Sequence, residues 1–325
     1  MHDTAPGPAS AVELAVPGSR PGSGSGGRPA GGPTGGPGTL SGPAAAATPL
    51  PRLVATDLDG TLLRGDSTLS PRTLAALRRT TGLGIHHVVV TGRPASGCAP
   101  FFDALGYTGL AVCGQGAQIY DAGRGRLLSA VGLDPGAARA ALDRLTGLVG
   151  PLDLAVVTSG AGGEFVITAG FGRGDERALA PYRLAAPENL WDLPVDKVLL
   201  RHRTLGDTEL AEAASLCAGP GLAVTHAGPR IVELLPSGFD KATGLARVAG
   251  ALGVTARHVT AFGDMPNDIP MLAWAGHAVA MANGHPELKA VADEIAPAND
   301  EDGVAAVLER ILGHAEPVPD QGVRP

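Results

Sequence analysis

Residues 53–63 read LVATDLDGTLL. Leu53, Val54 and Ala55 form an apolar run of the kind found in a short buried parallel strand, and Gly60 marks the turn that ends it. A strand buried on both faces needs neighbours and covering helices, which commits the chain to an α/β sheet. Side chains alternate in extended backbone, so Asp57 and Asp59 are expected on one side of the strand's carboxyl end, the edge where open α/β sheets bind ligands. Two like charges that close need a cation, a shared proton or bulk water. Taken alone, the stretch reads equally as a solvated Asp-x-Asp-Gly turn.

The next elements support the sheet. SPRTLAALRRTTGLG places Ser70 as N-cap, Pro71 at the first helical position and Leu74 and Leu77 on one face, with glycines at the stop. IHHVVV is then a strand, PASGCAPFFDALG a helix and GLAVCG a strand, the βαβαβ rhythm of a parallel sheet. The rhythm returns late: DKATGLARVAGALG (helix), HVTAFGD (strand), NDIPMLAWAG (helix), HAVAMANG (strand) and DGVAAVLERILG (helix). Between the halves, GRLLSAV, LDLAVV, GEFVITA, DKVLLRH and GLAVTHA read as strands, with helices in GAARAALDRLTGL and TELAEAASLCAG, an α+β texture.

The predicted fold is a doubly wound, Rossmann-like parallel-sheet core over residues 51–118 and 231–316, with an inserted α+β domain over 119–230. Residues 1–50 hold 12 Gly and 9 Pro with no periodic apolar pattern, so they are expected to be a disordered tail, and 317–325 a flexible terminus. The tail has neither the basic start nor the apolar stretch of a signal peptide, and no segment approaches a membrane span.

Net charge is −7, and the tail's Asp3 and Glu13 are balanced by Arg20 and Arg28, so the acidity belongs to the folded part. This argues against a nucleic-acid partner, which needs clustered Lys and Arg. Cys98, Cys113 and Cys217 are too few for a disulfide framework and fit a reducing cytoplasm. His86 and His87 lie in a strand and read as packing residues rather than zinc ligands.

Three further clusters have ordinary readings when isolated: Thr91-Gly92-Arg93 as a cap, Gly263-Asp264 with Asn267-Asp268 as helix N-caps, Lys241 as a surface group. Jointly they do not. Asp57, Asp59, Thr91, Lys241, Asp264 and Asp268 all fall at strand ends or a helix start, so the sheet would gather four carboxylates, one cation and one hydroxyl in one cleft. An all-oxygen acid cluster selects a hard cation, most simply Mg2+.

DLDGTLL, TGR, a Lys and GDMPNDIPML, in this order, resemble the four motifs of the haloacid dehalogenase superfamily of phosphohydrolases. The insertion resembles the class II cap of the Cof-like (IIB) sugar-phosphatase branch, and the likeness covers roughly Leu53 to Gly313. Gln115-Gly116-Ala117 stands where that branch usually has Asn-Gly-Ala, and Asn283-Gly284 where it has Asn-Ala, which leaves substrate contacts open.

The resemblance implies that Asp57 attacks phosphorus to form an aspartyl-phosphate and that Asp59 is the general acid and base. It implies Mg2+ held by the Asp57 carboxylate, the Asp59 carbonyl and Asp264, and phosphate bound by Thr91, Gly92, Lys241 and Asn267, with Asp268 orienting Lys241. Arg93 reads as a phosphate binder or a packed surface group, the latter slightly favoured, and Met265 and Met271 as core. An acid at Asp59 points to phosphate esters, since an alkoxide leaving group needs a proton. The implied substrate is a small phosphorylated metabolite of sugar or polyol type, the partner set excludes nucleic acid and membrane, and the assembly is a monomer or small homo-oligomer. Arg124, Arg173, Arg183, Arg201 and His202 are candidate specificity residues. Alternatives are a phosphotransferase or mutase, and a silent phosphate-binding protein.

Overall fold

Leu53, Val54 and Ala55 are fully buried in the computed structural model, which describes residues 50–160, 163–171, 182–228, 230–313 and 315. The expected terminal segments, Leu50 apart, and Arg173 lie outside the described residues.

In chain order the elements are β1 (Leu53–Thr56), α1 (Pro71–Gly82), β2 (His86–Val89), α2 (Ala99–Leu105), β3 (Leu110–Cys113), β4 (Gln118–Asp121), β5 (Arg126–Ala130) and α3 (Pro135–Val149). They continue with β6 (Asp153–Thr158), β7 (Phe165–Ile167), β8 (Tyr182–Leu184), β9 (Val195–Arg201), α4 (Asp207–Cys217), β10 (Leu222–Gly228) and β11 (Ile231–Pro236). The last group is α5 (Lys241–Ala251), β12 (Val259–Gly263), α6 (Ile269–Trp274), β13 (His277–Met281), α7 (Pro286–Val291), β14 (Glu294–Ala296) and α8 (Gly303–Leu312). Ser70 caps α1 as its position predicts, its hydroxyl accepting from Thr73 N at 3.0 Å.

Strands order β14-β13-β12-β1-β2 in an all-parallel sheet, with β3 joined beside β2 through a parallel bridge between Val90 and Val112. Early strands run one way from β1 and late strands the other, so the order reverses between β1 and β12. Alternate residues feed opposite faces. Val54, Val89, Phe262 and Val279 pack with α1, α2 and α8 residues such as Leu77, Phe102 and Leu308. Leu53, Ala55, Val88 and Ala261 pack with Leu245 of α5, Met271 of α6 and Leu288 of α7. This double cover explains why the strands read as unbroken apolar runs.

A second sheet orders β10-β11-β9-β6-β7-β8, antiparallel except for the β7–β8 pair. One face, with Val156, Val198, Leu200, Val232 and Leu234, packs under Ala138, Leu142 and Leu145 of α3 and Leu210 and Ala214 of α4.

Strand pairing departs from the expected boundaries at 119 and 231. β4 and β5 form a three-stranded antiparallel sheet with β3, and Ile119 joins the apolar cluster of the parallel sheet. β11 pairs with β9 and β10 in the second sheet. Both are hairpin effects: a short connection makes a strand pair with its predecessor, whatever texture comes after it. His87 is buried, as a packing residue should be, whereas His86 is exposed at the strand's start.

Candidate active site

The reversal between β1 and β12 is where open α/β sheets leave a crevice. β1 runs alongside β12 with Thr56 opposite Phe262, and Asp57 N donates to Phe262 O at 3.0 Å. Asp57 and Asp264 therefore leave adjacent strands at the same end. Asp268 lies just beyond, in the turn Pro266–Asp268, and Lys241 is the first residue of α5, whose N-cap Asp240 accepts from Thr243 N at 2.7 Å.

These four side chains meet. Lys241 Nζ lies 2.9 Å from Asp57 Oδ1 and 2.6 Å from Asp268 Oδ1, with all three residues buried. Carboxylate oxygens of Asp57, Asp264 and Asp268 lie within 4.8 Å of one another. Asp268 is braced on three sides: beyond Lys241, its Oδ2 accepts from Asp264 N at 3.1 Å and Met265 N at 3.0 Å. Asp57 and Asp264 are the less committed of the three carboxylates that could hold an ion.

Burial pushes the Asp57 carboxyl well above the ordinary carboxylate range; Lys241 opposes the shift, and repulsion from Asp268 and Asp264 adds to it. Asp264 is raised to about 6 by burial and by Asp268, against the Thr61 hydrogen bond and Lys241. Burial also works against the Lys241 ammonium, yet Asp268 and Asp57 outweigh it and raise its pKa. Three buried carboxylates against one ammonium are the electrostatic form of a hard-cation site, and carboxylates with nearby backbone carbonyls fit such an ion.

The loop after β1 is shaped for this. Gly60 has φ +73°, and a Cβ there would stand 2.3 Å from Asp264 Oδ2. Thr61 Oγ1 donates to Asp264 Oδ1 at 2.8 Å, and Asn283 Nδ2 donates to Gly60 O at 2.8 Å.

Two expectations need correction. Asp59 does not join the buried carboxylates: its half-exposed side chain is turned to Arg93, which donates from Nε and Nη2 at 2.6 Å each. The strand ends at Thr56 and Leu58, between the two acids, has helical rather than extended φ/ψ, so simple alternation does not carry through to Asp59. Arg93 is accordingly no mere surface group; it also lies over the Phe101 ring, 4.6 Å from its centroid. Asn267 Nδ2 gives one of its two N–H donors to Gln115 Oε1 at 3.2 Å, and Gln115 Nε2 donates to Glu233 Oε2 at 3.3 Å. A carboxylate only accepts, so Glu233 fixes both amide orientations, and the buried Asn267 Oδ1 has no hydrogen-bond partner among the described residues.

Thr91 is buried at the end of β2, and its Oγ1 accepts from Arg93 N at 3.1 Å. Met271 is fully buried and Met265 half-buried. The candidate specificity residues are engaged locally: Arg124 with Asp121, Arg183 with Glu164, Arg201 over the Phe171 ring, and His202 Nδ1 accepting from Leu205 N. The sequence reading passes over Lys197 and Glu233, which reach the site from the second sheet. Their signal is a charge set among apolar residues: Lys197 beside Asp196 at the head of VDKVLLR, and Glu233 inside IVELLP.

A family model described as haloacid dehalogenase-like hydrolase matches residues 54–308. The chain belongs to this family. Its relatives include the 5-amino-6-(5-phospho-D-ribitylamino)uracil phosphatase YitU of Bacillus subtilis, 30% identical over 274 residues, covering 80% of this chain and 97% of that protein. A haloacid dehalogenase-like hydrolase of Bacteroides thetaiotaomicron superposes with a TM-score of 0.67 at 29% identity, covering 80% of this chain and 98% of that one. A structure described as the subclass IIB sugar phosphatase BT4131 shares the fold, with a TM-score of 0.68 at 18% identity over 79% of this chain and 98% of that one. Within the haloacid dehalogenase-like hydrolases this fold, with its covering antiparallel sheet, is that of the Cof-type IIB branch. The chain is a phosphomonoesterase of that family, whose hydrolases use a metal ion. Among the described residues, no helix is long and apolar enough to cross a membrane.

Proposed function

We propose that this protein is a Mg2+-dependent phosphatase of small phosphorylated metabolites, in the cytoplasm, working through an aspartyl-phosphate on Asp57. The observation that carries this reading is the placement of Asp57 between the Lys241 ammonium and the Asp264 carboxylate at the sheet's reversal point. The parallel sheet and its helices form the catalytic part, and the second sheet with α3 and α4 forms a cap that excludes water from the crevice.

Asp57, the Asp59 carbonyl and Asp264 would hold Mg2+, which when bound neutralises the acids and the substrate's phosphate. Asp57 is the nucleophile: its oxygen bonds to phosphorus as the ester oxygen leaves. Asp59, once protonated and turned off Arg93, gives its proton to that leaving oxygen, then takes one from the water that cleaves the acyl phosphate. Its half-exposed carboxylate rests ionised on Arg93. Lys241 and the Thr91 hydroxyl bind non-bridging oxygens, with the backbone around Gly92 beside them. Asp268 holds Lys241 in place. Asn267 gives one amide N–H to Gln115 and keeps the second, which makes it a further phosphate contact.

The substrate class we favour is a polyol phosphate, supported by the ribityl phosphate named for the B. subtilis relative. The test is phosphate release from a panel of sugar, polyol and cofactor phosphates, with and without Mg2+, by wild type and Asp57→Asn. We expect Mg2+-dependent release that falls roughly a thousandfold or more in the variant. Activity surviving that substitution would remove Asp57 as nucleophile; phosphate appearing on an added alcohol instead of in solution would make the enzyme a transferase.

A further inference from the structure

We propose that Lys197 and Glu233, both on the second sheet, are positioning residues for the phosphate loop at Thr91–Arg93; this rests on the phosphatase reading above. In β9 and β11, Val198, Leu200, Val232 and Leu234 pack beneath α3 and α4. Side chains alternate, so Lys197 and Glu233 project from the opposite face. Glu233 is paired in register with Leu199, which puts Lys197 diagonally across from it. Their side chains are 6% and 2% exposed and form an ion pair.

Both members also reach across to the parallel sheet's loops. Lys197 Nζ donates to Gly92 O at 2.9 Å, and Glu233 Oε2 accepts from Gln115. The Gly92 carbonyl belongs to the same peptide unit as Arg93 N–H, which donates to Thr91 Oγ1. One cap ammonium therefore holds the peptide plane that occupies a lone pair of the Thr91 hydroxyl, directing the hydroxyl's own proton away from that peptide. The same peptide leads into Arg93, whose side chain grips Asp59. Glu233 neutralises Lys197 and packs Gln115 against the loop so closely that a Cβ on Gly92 would lie 2.7 Å from Gln115 Nε2. Seating the cap thus sets the orientation of the proposed phosphate-binding hydroxyl and the proposed acid.

A buried ion pair kept only for stability can be replaced by apolar groups at little cost, whereas removal of one partner strands a charge. That contrast supplies the test. Melting temperature, kcat and KM are measured for Lys197→Met, Glu233→Gln and the double variant Lys197→Met/Glu233→Met, with p-nitrophenyl phosphate and ribitol 5-phosphate as substrates. The single variants should lose both melting temperature and kcat, the latter roughly 10- to 100-fold. The double variant should regain the melting temperature while kcat stays low, by the same factor for both esters. Recovery of kcat together with melting temperature would reduce the pair to a structural role. Losses that differ strongly between the two esters would make Lys197 a leaving-group contact instead. A wild type that hydrolyses neither ester overturns the phosphatase reading and this one with it; an active wild type whose variants keep full kcat overturns this one alone.

Discussion

Arg93 grips Asp59 through two parallel hydrogen bonds of 2.6 Å, one from Nε and one from Nη2. The guanidinium itself lies over the Phe101 ring. A planar fork meeting a carboxylate edge-on fixes both the rotamer and the plane of the acid, which a lysine's single point charge cannot do. Desolvation lowers the Arg93 pKa less than the Asp59 hydrogen bonds and charge raise it, so the fork stays protonated throughout the working range.

Loss of that fork should affect rate far more than stability. Asp59 is half-exposed, and an ion pair of this kind contributes under about 1 kcal/mol. For Arg93→Lys we expect kcat to fall about tenfold, through a less well-placed acid, with the melting temperature changed by only a few degrees. Steady-state kinetics and thermal melting on the same preparation check this. A variant with wild-type kcat would make the pair incidental.

Lys241 presents the opposite balance. Its ammonium stands between two buried carboxylates, so Lys241→Met leaves Asp57 and Asp268 facing each other without a cation. The expected cost is about 3–5 kcal/mol of stability, with phosphatase activity abolished. Adding Asp268→Asn to that variant removes one of the stranded charges and should restore part of the stability while activity stays absent. Urea melts of the two variants decide it; equal midpoints would mean that Asp268 is not charged against Lys241.

Asp57, Lys241, Asp264 and Asp268 are legible in the sequence because each sits at a strand end or helix start, and a doubly wound sheet carries such positions to one edge. The helix beginning at Pro71 is legible for a local reason, the Ser70 cap. The direction of Asp59 is not, because it depends on the helical backbone of Leu58 and on an arginine 34 residues away. Lys197 and Glu233 are hidden differently: a charge within an apolar run looks the same whether it faces water or a partner, and their pairing requires the register of β9 against β11. The boundary near residue 231 escapes the sequence because IVELLP completes a hairpin, a pairing that texture alone does not reveal.

His87 should make the protein acid-sensitive. Burial lowers its pKa from 6.5 to about 4, so the folded state keeps it neutral while the unfolded chain takes up a proton. A depressed folded pKa means that this stability is present above about 6.5 and is lost as pH falls toward 4, an upper bound of about 3 kcal/mol. In His87→Gln, which retains a polar end for the neighbouring Thr56 hydroxyl, the decline in melting temperature between those pH values should flatten. An unchanged slope would place the acid sensitivity elsewhere.

Asp264 acts over much of the same range with the opposite sign. Its folded pKa is raised from 3.8 to about 6, so its contribution to the metal-free protein is present below 3.8 and is lost as pH rises through 6. Mg2+ requires the ionised carboxylate, so binding must expel whatever proton remains. At pH 5, calorimetric titration with Mg2+ should release close to one proton from this group, seen as a dependence of the observed heat on buffer ionisation enthalpy. At pH 8 its share should vanish. Saturating Mg2+ at about 100 times its dissociation constant should stabilise the wild type by about 2.7 kcal/mol. Asp264→Asn should lose both the proton release and most of that stabilisation, because an amide carries no charge to neutralise. Equal Mg2+ stabilisation in variant and wild type would move the metal away from Asp264.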